Sequence, residues 1–155
     1  MVEGDTERAF VGHLRALFAR NCGTRLTIEC AYGGSGDAIL DHALKLCPGF
    51  DRRAVIYDAD RPPTLKTLLQ KAHAQKLDCI VSAPAIEAVL LAILDQPVPR
   101  DTETCKRALA ALISDSLTDV RNYSRHFPES LLRAKATTVP ALARLLALMN
   151  YPATA

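Results

Sequence analysis

Ala54-Val55-Ile56-Tyr57-Asp58-Ala59-Asp60 decides how this chain reads. Ala54 to Tyr57 form an unbroken apolar run, as a strand covered on both faces requires; a half-open strand would alternate. The run passes straight into two carboxylates spaced i and i+2, which on a strand project to one side together. Pro62-Pro63 then breaks the chain. Downstream, Leu65, Leu68, Leu69 and Ala72 carry helical spacing to about residue 76. A short strand, Cys79-Ile80-Val81-Ser82, and a helix from Ala85 to Leu94 come next.

Upstream the alternation continues. A helix starts near Thr6, capped by Asp5, with Glu7 suiting its positive end and Phe10, Leu14, Leu17 and Phe18 on one face. Leu26 to Tyr32 reads as a strand, and Gly33-Gly34-Ser35-Gly36 as a break. A helix carrying Ile39, Leu40, Ala43, Leu44 and Leu46 leads back to Ala54. Strands alternating with helices predict a parallel, doubly covered α/β sheet. Beyond Pro97 and Pro99 no strand pattern returns, and residues 103–150 read as three or four helices, the last apolar nearly all round. The expected organisation is an α/β core over 1–96 and a helical extension over 97–155 packed on it.

Composition narrows the function classes. The chain has 155 residues, 49% of them hydrophobic, enough for a real core and too many for a disordered chain. The longest apolar stretch, Ala88 to Leu94, has seven residues against the roughly 20 of a membrane span. With no apolar leader after Met1, a soluble cytoplasmic protein is expected. The five cysteines show no CxxC spacing and read as small reduced side chains. Trp is absent, which argues against a base-stacking platform.

Asp58 and Asp60 are the leading candidates for chemistry. They stand at the carboxyl end of a strand, the edge where open α/β sheets place ligands. Two carboxylates so close repel unless a cation compensates, and oxygen donors at this density suit Mg²⁺. Glu3 precedes Gly4, which permits a tight turn into the first helix and close approach by a ligand. Glu87 lies in line with Leu90, Leu91 and Leu94, so it faces protein, where a charge needs a partner or a metal. Residues 120–155 carry five bases (Arg121, Arg125, Arg133, Lys135, Arg144) against one acid, Glu129. Such an end suits a phosphate backbone, and Lys106 is a further base that would reach one.

These pieces together resemble the Toprim domain of topoisomerases, primases and OLD-type nucleases. The opening Val2-Glu3-Gly4-Asp5-Thr6-Glu7 with Phe10 after it is similar to the E-G-x-x-T-E of the small RloB-like branch, found beside ATPases in bacterial defence loci. The glycine-rich turn, Asp58-Ala59-Asp60 and the later Ser82-x-Pro84-x-x-Glu87-x-x-Leu90-Leu91 follow in that branch's order. The resemblance covers about residues 2–94 and continues loosely through Tyr123 and Lys135. It implies a Toprim-like sheet and a Mg²⁺ (or Mn²⁺) dependent nuclease. Asp58 and Asp60 would hold metal, Glu3 would hold metal or move a proton, and Glu87 would complete the cluster. Nucleic acid, an ATPase and a second copy of the chain are the expected partners. A non-catalytic subunit of the same fold, binding an ATPase or nucleic acid, is the alternative. A haloacid-dehalogenase-type phosphotransferase also opens on DxD after an apolar strand. It wants the motif at the N-terminus, and Thr or Val where Pro62 stands.

Overall fold

The computed structural model describes residues 1–32, 36–45, 49–59 and 62–151, with the side chains at 21, 36 and 62–65 left aside. The chain is a mixed α/β protein. Helix α1 (Asp5–Leu14) continues through a π turn (Arg15–Ala19) and a 3₁₀ turn (Arg20–Cys22). Gly23, at φ 65°, ends the run in the left-handed conformation that a residue without Cβ takes most easily. Next come α2 (Gly36–Lys45), β1 (Ala54–Asp58), α3 (Pro62–Ala74), β2 (Asp78–Ser82) and α4 (Ile86–Ile93). Four helices close the chain: α5 (Thr102–Leu112), α6 (Val120–His126), α7 (Glu129–Lys135) and α8 (Pro140–Leu148).

The strands β1 and β2 pair in parallel, Ala54 opposite Asp78 through Asp58 opposite Ser82. The pleat sorts their side chains onto two faces. Ile56 and Ile80 enter one core with Val2, Phe10, Leu14, Leu90 and Leu145, among others. Val55, Tyr57 and Cys79 enter a second core with Ile39 and Leu40 of α2 and Leu68 and Ala72 of α3. Helices therefore cover both faces, as the continuous apolar run of β1 requires. Fully buried residues such as Phe10, Leu14 and Leu90 each contribute about 1.5–3 kcal/mol by leaving water.

The first core takes residues from both the sheet half and the helical half. Tyr123, Phe127, Leu132, Leu142 and Leu146 lie in the same apolar cluster as Phe10 and Ile56. Phe10, Tyr123 and Phe127 stack with centroids 5.5–6.2 Å apart. The buried His13 ring donates from Nε2 to the Phe127 carbonyl at 2.8 Å. The helical half thus completes the core of the sheet half.

Two local expectations need correction. Asp5 does not cap α1; Gly4 occupies the N-cap, and Asp5 is the first helical residue. Leu26 to Tyr32 does not form a strand, and Tyr32 ends it at φ 54°. It meets the sheet only at the parallel bridge between Val2 and Cys30. Val2 donates to the Glu29 carbonyl and accepts from Ala31, while Met1 accepts from Ile56. Met1 and Val2 therefore lie between that segment and β1, and residues 25–28 have no strand beside them. Arg15, which donates to the Leu26 carbonyl at 3.3 Å, and the end of α8 hold the segment instead. Among the described residues, no helix is long and apolar enough to cross a membrane.

Candidate functional site: an acidic cluster at the carboxyl edge of the sheet

The parallel strands deliver their carboxyl ends to one edge. Asp58 ends β1, and Ser82 ends β2 directly opposite it. The chain leaves Val2 at the same edge, so Glu3 arrives beside Asp58, with its Oε2 3.5 Å from the Asp58 backbone N–H. Gly4 then turns the chain into α1, and Glu7 follows one turn on. From β2 the chain runs through Ala83-Pro84, a cis peptide, into α4, whose first turn carries Glu87.

Glu7 is the residue that the sequence reading undervalued. It is only 5% exposed. Burial pushes its carboxyl above the usual carboxylate range, and the charges of Glu87 and Glu3 push it further. The backbone N–H groups of Glu7 and Gly4 work the other way. The Gly4 contact is the returning half of a capping box, in which an acid three residues into a helix bonds the N-cap N–H. A Cβ built on Gly4 would lie 3.1 Å from Glu7 Oε2, so glycine leaves room for this close approach. The Glu3–Glu7 spacing of one helical turn was the available signal; read alone, it passes for dipole compensation.

Two neutral groups border the acids. Tyr123 is fully buried and donates its hydroxyl to the Thr6 carbonyl at 3.2 Å, tying α6 to the first turn of α1. Burial raises its pKa well above that of a free phenol, and the charges of Glu7 and Glu87 add to the effect. Ser82 Oγ is 1% exposed and has no hydrogen-bond partner among the described residues. A buried hydroxyl left so carries a desolvation cost of about 1–3 kcal/mol unless water or a ligand meets it.

Of the sequence candidates, Glu3 contacts the Asp58 backbone, and the charges of Glu87 and Glu3 each act on Glu7. Asp60 lies outside the described residues, as do Gly33 to Ser35. The donor set is all oxygen, the chemistry a hard divalent cation takes. Among the described residues, no three acidic, histidine or cysteine side chains stand close enough to hold one ion together.

The basic candidates are engaged in local ion pairs. Five of the six have an acidic neighbour, Arg144 being outside these pairs. Arg121 meets Asp119 at 2.6 Å, Arg125 meets Asp115 at 3.1 Å, and Arg133 pairs with Glu129. Lys135 meets Asp95 at 2.5 Å, and Lys106 meets Glu103 at 3.9 Å. Three of the bases within 120–155 pair with acids that precede residue 120, so a count over 120–155 alone overstates the local excess of positive charge. Such surface pairs are worth at most about 1 kcal/mol and can open for a phosphate. No protein-family model, curated protein or solved structure matches this chain.

Proposed function

We propose that this protein is a divalent-metal-dependent nuclease of the Toprim type, cleaving phosphodiester bonds in nucleic acid as part of bacterial defence, together with an ATPase. One observation carries the reading. Glu3, Asp58 and Glu87 come from three separate stretches of chain at the carboxyl edge of a parallel sheet, where Glu3 contacts the Asp58 backbone and the charges of Glu87 and Glu3 act on the buried Glu7. Gathering like charges in a partly buried place costs stability, and a cation would offset that cost.

Asp58 and Glu3 would hold Mg²⁺ or Mn²⁺, and Asp60 and Glu87 are the further candidate ligands from the sequence. When bound, the ion would polarise a phosphoryl oxygen and make a water nucleophilic near neutral pH. The chain supplies the rest. Glu3, held against the Asp58 backbone, suits a fixed ligand better than a proton carrier. Glu7, whose pKa is raised, suits holding a proton and passing it to a leaving oxygen. Tyr123, bonded to Thr6, fixes the turn that carries Glu7.

A second reading is a non-catalytic subunit that binds an ATPase. It is favoured by the ion pairing of Arg121, Arg125, Arg133, Lys135 and Lys106, which leaves these bases already engaged. The test is cleavage of labelled DNA and RNA with Mg²⁺ or Mn²⁺, by the chain alone and with an ATPase encoded beside it. Cleavage by the wild type and none by Asp58→Asn supports the nuclease. No cleavage in any mixture, with Mg²⁺ still raising the melting temperature, moves the conclusion to the second reading. Full cleavage by Asp58→Asn refutes the mechanism.

A further inference from the structure

Among the described residues, Tyr32 is the most exposed large hydrophobic side chain, at 72%. Its backbone lies in the left-handed region at φ 54°, which a bulky residue adopts only at a cost. The turn carries the ring away from the two cores, against which Cys30 and Ala31 just before it pack. The Tyr32 hydroxyl accepts from Arg8 Nη1 at 3.1 Å. Arg8 follows Glu7 on α1 and faces the other way: Glu7 is buried and Arg8 is exposed. Among the described residues, no carboxylate lies within ion-pair reach of Arg8, in contrast to Arg121, Arg125, Arg133, Lys135 and Lys106.

The backbone places this pair beside the acids. Met1 N donates to the Ala54 carbonyl and the Met1 carbonyl accepts from Ile56, which sets Met1 level with Val55. Val2 is level with Cys30. Counted forward along these parallel rows, Gly4 is level with Asp58 on one side and with Tyr32 on the other. Neighbouring rows lie about 4.8 Å apart, so Tyr32 leaves the sheet about 10 Å from Asp58, at the same edge.

We propose that Arg8 and Tyr32 seat one nucleotide of a single-stranded substrate, a role that rests on the nuclease reading above and gives it a substrate class. The ring stacks on the base and the guanidinium meets the phosphate. Every base has a π face, so a free aromatic ring takes any of them. A duplex keeps those faces inside its own stack and shows only base edges in its grooves, so the base on Tyr32 must be unpaired. One ring gives one stacking position, not the row of aromatics that a platform needs. A guanidinium fits a phosphate through two parallel N–H bonds, and at Arg8 no carboxylate has to be displaced first. Its bond to Tyr32 is exposed, so exchanging that bond for one to a phosphate costs little. The acids at this edge repel an approaching phosphate, and Arg8, on the outer face of the same helical turn as Glu7, supplies the attraction.

The test is fluorescence anisotropy of labelled oligo-dT and oligo-U, with a mixed-sequence duplex for comparison, in EDTA and in Ca²⁺. Cleavage in Mg²⁺ or Mn²⁺ is followed separately. Tyr32→Ala should weaken single-strand binding about tenfold or more, while Tyr32→Phe, which keeps the ring, binds as wild type does. Arg8→Gln should weaken it too, and lower the slope of log affinity against log salt by about 0.7, one phosphate's share. Both side chains are exposed, so all three variants should melt close to wild type. Single-strand binding that depends on the Tyr32 ring, with no cleavage in any metal, keeps this pair and removes the nuclease reading. Cleavage of single strands at equal rates by wild type, Tyr32→Ala and Arg8→Gln keeps the nuclease and overturns the pair. A Tyr32→Ala effect that is equal on duplex and single strand, or a wild type that binds no single strand in either buffer, overturns it as well.

Discussion

Neutralising Glu7 should stabilise this protein at neutral pH, and the gain should disappear in acid. Glu7→Gln keeps the shape of the side chain and, through its amide oxygen, the bond to the Gly4 N–H that the capping box needs. What it removes is a charge on a side chain 5% exposed, with Glu3 and Glu87 as like-charged neighbours. A like charge within about 6 Å costs on the order of 2–3 kcal/mol at an effective dielectric near 20. The charge-assisted bonds from Gly4 and Glu7 N–H return about 1.5–3 kcal/mol. With desolvation added on the unfavourable side, the expected net gain is about 1–2 kcal/mol. For a chain of this size that is about 3–6 °C in melting temperature. The sign with pH follows from linkage. Because the folded pKa is raised, the native state binds the proton more tightly than the unfolded chain does. Wild-type stability therefore falls as pH rises from the ordinary glutamate range through the folded pKa, and below that range the difference between the two proteins vanishes. Differential scanning calorimetry at pH 7 and pH 4, with and without Mg²⁺, reads all of this. A Glu7→Gln protein less stable than wild type at pH 7, or a gain that persists undiminished at pH 4, refutes the argument from buried charge. Mg²⁺ should narrow the gap by stabilising the wild type more.

Asp58→Asn should lower any metal-dependent cleavage by about 100-fold or more, with a melting temperature in metal-free buffer unchanged or higher, since one like charge at the edge is gone. Tyr123→Phe should cost about 1 kcal/mol, or 2–4 °C, by leaving the Thr6 carbonyl without its donor. A cost near zero would mean that the contact does not hold the first turn of α1. Reversing Arg121, Arg125 and Arg133 to Glu should weaken nucleic-acid binding and flatten its dependence on salt without changing Mg²⁺ affinity. An unchanged slope would confine them to their ion pairs with Asp119, Asp115 and Glu129.

Much of the fold was legible because it rests on local pattern. The unbroken run Ala54 to Tyr57 required cover on both faces, and α2 with α3 on one side and the first core on the other supply it. The helices between 102 and 148 were visible as periodicity and proline punctuation. The segment Leu26 to Tyr32 misled because strand-favouring residues such as Thr27, Ile28 and Cys30 do not supply a neighbour. Only Cys30 has one, in Val2. The particular contacts of the helical extension were out of reach for a related reason. Nothing local in Tyr123 or Phe127 announces that each will stack on Phe10, more than a hundred residues earlier.

The site shows the same division between what a chain segment dictates and what only packing dictates. Asp58 was legible because its position at a strand's carboxyl end follows from the strand. Glu7 was not, because its chemistry comes from neighbours: burial under the first core and the charge of Glu87, eighty residues away in sequence. Yet the two are mechanically linked through the shortest piece of the sheet. Met1 bonds β1, Val2 bonds the segment at Cys30, and the next residue is Glu3, followed by the glycine that starts α1. Two residues of strand thus set the position of Glu3 against Asp58 and, one turn later, of Glu7.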